Sequence, residues 1–285
     1  MKKIKLYFSL IKFSHTIFAL PFAAIGYFLA IHQDAYSFDG TLLIYVVLCM
    51  IFARSAAMAF NRYIDADIDK KNERTATREI PSGKINPRAA LTFTIFSSLL
   101  FIASTYYINM LCFYLSPLAL FIILSYSYTK RFTALCHFVL GLGLSLAPIG
   151  AYIAVTGEFS LIPILFSAIV LTWSGGFDII YSLQDEEFDK TEQLHSIPVR
   201  IGRKKALRFS IFTHSITALL VIHTGIAGNF SYPYWIGAAI FIGLLIFQHT
   251  IVNPQDISRV NLAFGTSNGI AGVLFAGGVI ADFFF

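Results

Sequence analysis

The chain has 285 residues, 56% of them hydrophobic and 13% charged, with a net charge of +5 and a mean hydropathy of +0.70. A soluble domain carries about a quarter of its residues charged, so this composition excludes one and points to a chain that lives in lipid. The surplus charge then reads as orientation on an anionic leaflet, not as a nucleic-acid surface. Cys49, Cys112 and Cys136 all fall in apolar stretches without CxxC spacing, which indicates neither a disulfide framework nor a zinc site.

About 20 apolar residues cross a hydrocarbon core of about 30 Å. Windows of that size predict nine transmembrane helices, near 13–31, 41–60, 89–108, 110–128, 135–156, 160–180, 207–227, 233–251 and 262–282. The first lacks a small-residue cleavage site and is too long for a signal peptide, so it reads as a retained span. With the N-terminus cytoplasmic, the loops after helices two, four, six and eight share its side. Lys and Arg concentrate there, and Arg54 alone lies deep inside a span. The opposite connections carry Asp34, Asp39 and Glu158 and no Lys or Arg. That asymmetry is what the positive-inside rule demands. The expected fold is an all-α integral membrane protein, residues 1–285 forming one domain, a bundle of nine transmembrane helices with two Asp-rich cytosolic loops. The C-terminus falls on the opposite side of a bacterial-type inner membrane.

Those loops, 61–88 and 181–206, hold the dense polar chemistry. The first opens as Asn61-Arg-Tyr-Ile-Asp65-Ala-Asp67-Ile-Asp69, the second as Tyr181-Ser-Leu-Gln-Asp185-Glu-Glu-Phe-Asp189. On a helix, Asn61, Asp65 and Asp69 share one face, as do Asp185 and Asp189, with Asp178 two turns earlier on the same stripe. A single acid in such a loop is ordinarily just solvated. Acids repeated at i+4, twice, at the membrane edge repel one another unless a cation joins them. Mg²⁺ takes few carboxylates together with waters and substrate phosphates, which points to diphosphate chemistry with Mg²⁺ at Asp65, Asp69, Asp185 and Asp189. Each loop then turns basic and reaches a similar breaker, Ile80-Pro-Ser-Gly-Lys84 or Ile197-Pro-Val-Arg-Ile-Gly202, so a weak internal duplication is expected.

Among the cations, about half serve topology alone. Arg74 and Arg78, beside the first acids, are the best diphosphate clamp, followed by Tyr126-Ser-Tyr128-Thr-Lys130-Arg131 at the end of a span. Arg54, seven residues before Asn61 on the same face, either pairs with an acid such as Asp178 or receives the carboxylate of an aromatic acid. His15 reads as a packing residue, with a catalytic role the sharper alternative. Gly175-Gly176 and Gly277-Gly278 read as close helix packing. The abundant aromatic residues suit lipid, and some could stabilise a carbocation with their π faces.

Taken together, the nine spans, Asn61-x₃-Asp65-x₃-Asp69, Tyr181-x₃-Asp185-x₃-Asp189, Tyr126-x-Tyr128-x-Lys130-Arg131 and Arg74-Thr-x-x-Arg78 resemble the UbiA superfamily of intramembrane aromatic prenyltransferases. Arg62 stands where many relatives have Asp, which removes one metal ligand and leaves Asp65 and Asp69. The resemblance implies Mg²⁺-dependent transfer of a prenyl group from polyprenyl diphosphate to an aromatic acceptor. The segment Ser14-His15-Thr-Ile-Phe-Ala-Leu-Pro21 is most similar to the 4-hydroxybenzoate polyprenyltransferase branch, which serves quinone biosynthesis. It also implies that Asn61 joins the four aspartates at the metal–diphosphate site. Arg74, Arg78, Tyr126 and Lys130 then contact the diphosphate, Tyr181 opens the second motif, and Arg54 and Asp178 place the acceptor. Alternative acceptors are 1,4-dihydroxy-2-naphthoate or a futalosine-route aromatic, and porphyrin prenylation is a more remote one. From a different class, a cation-coupled transporter also has many helices and buried acids, but its site belongs at the bilayer midplane.

Overall fold

The structure, a computed structural model, describes residues 2–12, 18–33 and 36–285. His15 and Asp34 lie outside the described residues. Among these, every element is helical: α1 (Lys2–Leu10), α2 (Leu20–Gln33), α3 (Gly40–Ile64), α4 (Ala66–Lys71), α5 (Pro87–Ile108), α6 (Met110–Thr129) and α7 (Cys136–Thr156) come first. They are followed by α8 (Leu161–Ser182), α9 (Glu186–Thr191), α10 (Ile197–Ile201), α11 (Arg203–Ala227), α12 (Tyr232–Ile251) and α13 (Asn268–Asp282). Among the described residues, eight helices are long and apolar enough to span a membrane, and the stretch Leu20–His32 is a shorter apolar helix in the place of the predicted first span.

Boundaries follow local chemistry. Asp39 caps α3, its carboxylate accepting from the backbone N–H groups of Thr41 (2.8 Å) and Leu42 (3.2 Å). Asn86 caps α5, with Pro87 in the first turn, where no N–H is needed. Asn109 makes the whole α5–α6 turn. Its Oδ1 accepts from Cys112 N at 2.8 Å, and its Nδ2 donates to the α7 carbonyls of Ile153 (2.9 Å) and Ala154 (3.2 Å). Inside α6, Pro117 cannot donate to the carbonyl of Phe113, and Ser116 Oγ donates there instead at 2.8 Å.

The helices form a ring of neighbours: α5 against α3 and α6, α6 against α7, then α8, α11, α12 and α13 in turn, with α2 seated between α13 and α7. Trp173, Phe22, Phe166, Phe241 and Phe275 fill the core of the C-terminal half. Close approach is set by glycine, as bundles in lipid require. A Cβ on Gly26 of α2 would stand 2.0 Å from the Pro148 carbonyl oxygen of α7, and one on Gly278 of α13 would stand 3.0 Å from Gly237 Cα of α12. Gly176 makes room for the His214 ring and Gly175 for Phe138, whereas Gly277 faces open space and packs against nothing.

Two elements depart from the sequence reading. The N-terminal arm contains α1, whose Leu10 packs with Ile80, Ile85 and Ala90 and whose Tyr7 ring lies 5.0 Å from Phe93, so it braces the first polar loop. The predicted last span opens with a π-helical turn, Leu262–Ser267.

Candidate active site

Both acid motifs sit where a spanning helix gives way to a short one. α3 ends at Ile64, Asp65 is its cap, and α4 carries Asp69. The i, i+4 relation survives the junction because Asp65 N donates to Asn61 O (2.9 Å) and Asp69 N to Asp65 O (2.7 Å). In the second motif α8 ends at Ser182, a 3₁₀ turn covers Leu183–Asp185, and α9 carries Asp189. The motifs are therefore helix–helix junctions, not the continuous extensions expected from periodicity. Asp67 is exposed, whereas Asp65 and Asp69 are 2% and 4% exposed, which separates site acids from solvated ones.

Buried carboxylates need partners, and these find the predicted cations. Asp65 receives Lys130 Nζ at 2.6 Å, Arg131 Nη2 at 3.0 Å and Asn61 Nδ2 at 3.1 Å. Asp69 receives Arg78 Nη1 at 2.7 Å on both oxygens, with Arg62 Nη1 3.9 Å away. Asp185 is gripped by the Arg74 fork, Nε to Oδ1 at 3.0 Å and Nη2 to Oδ2 at 2.5 Å. Asn72 Nδ2 adds a further bond to Asp185 at 3.0 Å. Arg74 Nη1 also donates to the Tyr181 hydroxyl at 3.1 Å. Burial alone would weaken the Arg74 charge, but the hydrogen bond and charge of Asp185 outweigh it and hold the guanidinium above its ordinary value. Asp189 has no ion-pair partner within 4.0 Å among the described residues.

Asn72 and Arg74 belong to the first loop and grip an acid of the second, so the two motifs build one site. Its ligand chemistry fits a hard divalent cation. The donors are carboxylate and amide oxygens, and no ready-made cluster of three His, Cys, Asp or Glu side chains exists among the described residues. Mg²⁺ asks for one or two carboxylates, with water and phosphate completing its shell. Asp65, Asp69, Asp185, Asp189 and Asn61 could serve it.

An apolar cavity of about 370 Å³ runs among α2, α3, α5, α6 and α7, with Arg54 and Tyr126 in its wall toward the acids and Ile108, Cys112 and Ile153 at its other end. Arg54 has no ion-pair partner among the described residues, and its Nε is buried without a hydrogen-bond partner. The anticipated Arg54–Asp178 pair does not form. Asp178 instead receives a hydrogen bond from His137 Nδ1 at 2.7 Å, and His137 Nε2 accepts from Ile197 N at 3.3 Å. The second bond assigns the tautomer: the ring proton sits on Nδ1 and points at Asp178.

Sequence reading missed His137, Asn72 and the contact of Arg62 with Asp69. Arg131, named with Lys130 in the second clamp segment, turns out to hold Asp65. His137 stands 41 residues from its partner in an apolar stretch, with no spacing to give it away.

Comparison with known proteins identifies the family and the fold. Residues 19–275 match the UbiA prenyltransferase family. A 4-hydroxybenzoate octaprenyltransferase of Burkholderia mallei (strain NCTC 10247) is 29% identical over 237 residues, 83% of this chain and 82% of that protein. An apo UbiA homologue from Aeropyrum pernix K1 superposes with a TM-score of 0.85 at 33% identity, covering 94% of this chain and 98% of that one. A UbiA homologue from Archaeoglobus fulgidus, solved bound to GPP and Mg²⁺, shares the fold with a TM-score of 0.75 at 21% identity, covering 98% and 100%. With a helical membrane bundle, two acid motifs meeting in one site and a family match across most of its length, the chain belongs to the UbiA prenyltransferase family.

Proposed function

We propose that this protein transfers a polyprenyl group from polyprenyl diphosphate to 4-hydroxybenzoate in a Mg²⁺-dependent reaction of quinone biosynthesis. The observation that carries the reading is the pairing of each buried acid with a cation at the polar end of an apolar cavity. Salt-bridged, the site is nearly neutral and can stay folded. A metal–diphosphate unit can exchange into it pairwise, acids turning to the metal and Arg74, Arg78, Lys130 and Arg131 turning to phosphate oxygens. Mg²⁺, when bound, supplies positive charge against the diphosphate as it leaves.

The chain's own residues do the rest. The two arginine forks hold the diphosphate in one orientation and Lys130 adds a point charge, so the developing negative charge meets preorganised donors. The apolar cavity takes the tail and keeps water from the allylic carbon as its C–O bond breaks. The acceptor ring then forms the new carbon–carbon bond and loses a proton to restore aromaticity. Arg54, a lone cation in an apolar wall, suits the acceptor carboxylate, and Asp178, oriented by His137, is assigned to acceptor placement. The name of the Burkholderia relative supports 4-hydroxybenzoate as that acceptor. The charge asymmetry supports an orientation with the N-terminus and both acid loops on the cytoplasmic side of the inner membrane and the C-terminus opposite.

The test is prenyl transfer by purified protein with geranyl diphosphate, offered 4-hydroxybenzoate or 1,4-dihydroxy-2-naphthoate, with Mg²⁺ or with EDTA. Prenylated 4-hydroxybenzoate formed only with Mg²⁺ is the expected result. Product from the naphthoate alone would replace the acceptor, and none from either with folded protein would overturn the reading.

A further inference from the structure

The last spanning helix is not α-helical throughout its first turns. Residues Leu262–Ser267 form a π-turn, which amounts to one extra residue inserted in a helix and leaves carbonyls without their usual donors. In lipid such groups must be satisfied from within, and Asn268 does it. Its Nδ2 donates to the carbonyls of Ala263 (2.9 Å) and Phe264 (3.1 Å). Its Oδ1 accepts from Trp173 Nε1 of α8 (2.8 Å) and Gln248 Nε2 of α12 (3.2 Å). The side chain is fully buried and its bonding capacity is used in full. A chain that maintains such a clasp gains a fixed register at one place, and the residue so placed is Phe264. Its ring lies 4.2 Å, centroid to centroid, from Tyr181 and 5.4 Å from Phe177. Tyr181 in turn holds Arg74 twice, by its hydroxyl at 3.1 Å and by its face, with the guanidinium carbon 5.5 Å from the ring centroid. Arg74 is the fork on Asp185.

We propose that this π-turn, locked by Asn268, is a positioning device for the donor site: it sets Phe264 against Tyr181 and so fixes the Arg74 guanidinium that grips the diphosphate. Phe264 and Asn268 are positioning residues, since each acts on Arg74 through Tyr181. The inference rests on the prenyl-transfer reading, because Arg74 matters here as a diphosphate ligand. It predicts an effect on donor binding from a helix at the far end of the sequence, with acceptor binding left alone.

Deleting Thr266, an exposed residue of the turn, removes the inserted residue and restores α-helical register. Everything N-terminal to it then rotates by about 100° relative to Asn268, carrying Phe264 off Tyr181. The rotation also moves buried Ala263 off its packing, so monodisperse elution and Tm first establish that the deletion variant is folded, and where it is not, the test passes to a substitution of Phe264 alone. Phe264→Leu is the milder variant and keeps the turn. Each would be measured for affinity toward geranyl S-thiolodiphosphate, a non-reacting donor analogue, with Mg²⁺ present, and for the KM of donor and acceptor. The expected result is a donor affinity at least tenfold weaker in the deletion and about threefold weaker in Phe264→Leu, with the acceptor KM unchanged. In an Arg74→Lys background the deletion should then add less than about twofold, since both act through the same guanidinium. Unchanged donor affinity in a folded deletion variant would overturn the proposal, as would a change confined to the acceptor KM. Wild-type protein that fails to bind the analogue at all would instead overturn the prenyl-transfer reading.

Discussion

Asp65→Asn tests the centre of the site with one oxygen exchanged for nitrogen. Asp65 is 3% exposed at its side chain and is shared by Lys130 and Arg131, which are 30% and 29% exposed. Removing one member of a fully buried ion pair costs about 3–5 kcal/mol. Here the two stranded cations can turn to water, which brings the cost down to about 1–3 kcal/mol. A bundle with this much apolar packing should survive that, with a Tm lowered by some degrees. Catalysis should suffer far more, because the variant loses a proposed metal ligand and places an amide nitrogen opposite Lys130. Loss of one preorganised electrostatic contact to a developing charge lowers kcat by about 10²–10³-fold. The assay is geranyl transfer in lipid nanodiscs across a Mg²⁺ titration, beside a thermal melt of the same preparation. A folded variant turning over within about threefold of wild type, at the same Mg²⁺ midpoint, would refute Asp65 as a ligand of the metal–diphosphate unit.

Arg74→Lys keeps the charge and its contribution to topology but breaks the fork on Asp185, so the donor KM should rise about 10- to 100-fold with the acceptor KM unchanged; an unchanged donor KM would reduce Arg74 to an orientation signal. Arg54→Met removes an unpaired cation from an apolar wall, so the Tm should hold or rise while the acceptor KM increases at least about tenfold, and a fall in Tm with unchanged acceptor KM would show a structural residue. Gly26→Leu should abolish recovery of folded protein, because its Cβ would stand 2.0 Å from a backbone oxygen of α7. Gly277→Ala, in open space, should be neutral or stabilising by up to about 1 kcal/mol, and equal melting of the two variants would contradict the packing.

The bundle was legible because lipid leaves a chain few options: apolar windows of spanning length gave eight of the helices observed among the described residues to within a few residues. What stayed hidden has the opposite character. The π-turn is one extra residue in an apolar stretch and leaves no trace in hydropathy. The junction at Asp65 preserves the i, i+4 relation across a break, so periodicity reads straight through it, and the 3₁₀ turn before Asp185 is too short to interrupt the pattern of its motif. His137 and Asp178 meet because α7 packs on α8, and nothing in either local sequence names the other.

The site acids were legible for a reason that also explains their partners. A chain with 13% charged residues has little polar material to spend, so acids at a membrane edge stand out against their surroundings. Yet Asp65 and Asp69 are more deeply buried than solvated loop acids could be, and burial of bare carboxylates is prohibitive. They must therefore arrive with cations, and the chain supplies them from neighbouring segments: Arg78 to Asp69 within one loop, Lys130 and Arg131 to Asp65 from the end of α6, Arg74 to Asp185 across the two loops. Topology alone would accept Lys or Arg anywhere on that face. The observed pairing is narrower, joining Asp65, Asp69 and Asp185 each to a cation that the proposed diphosphate could claim, so the interactions that let these acids be buried are also ones that a metal–diphosphate unit could exchange with.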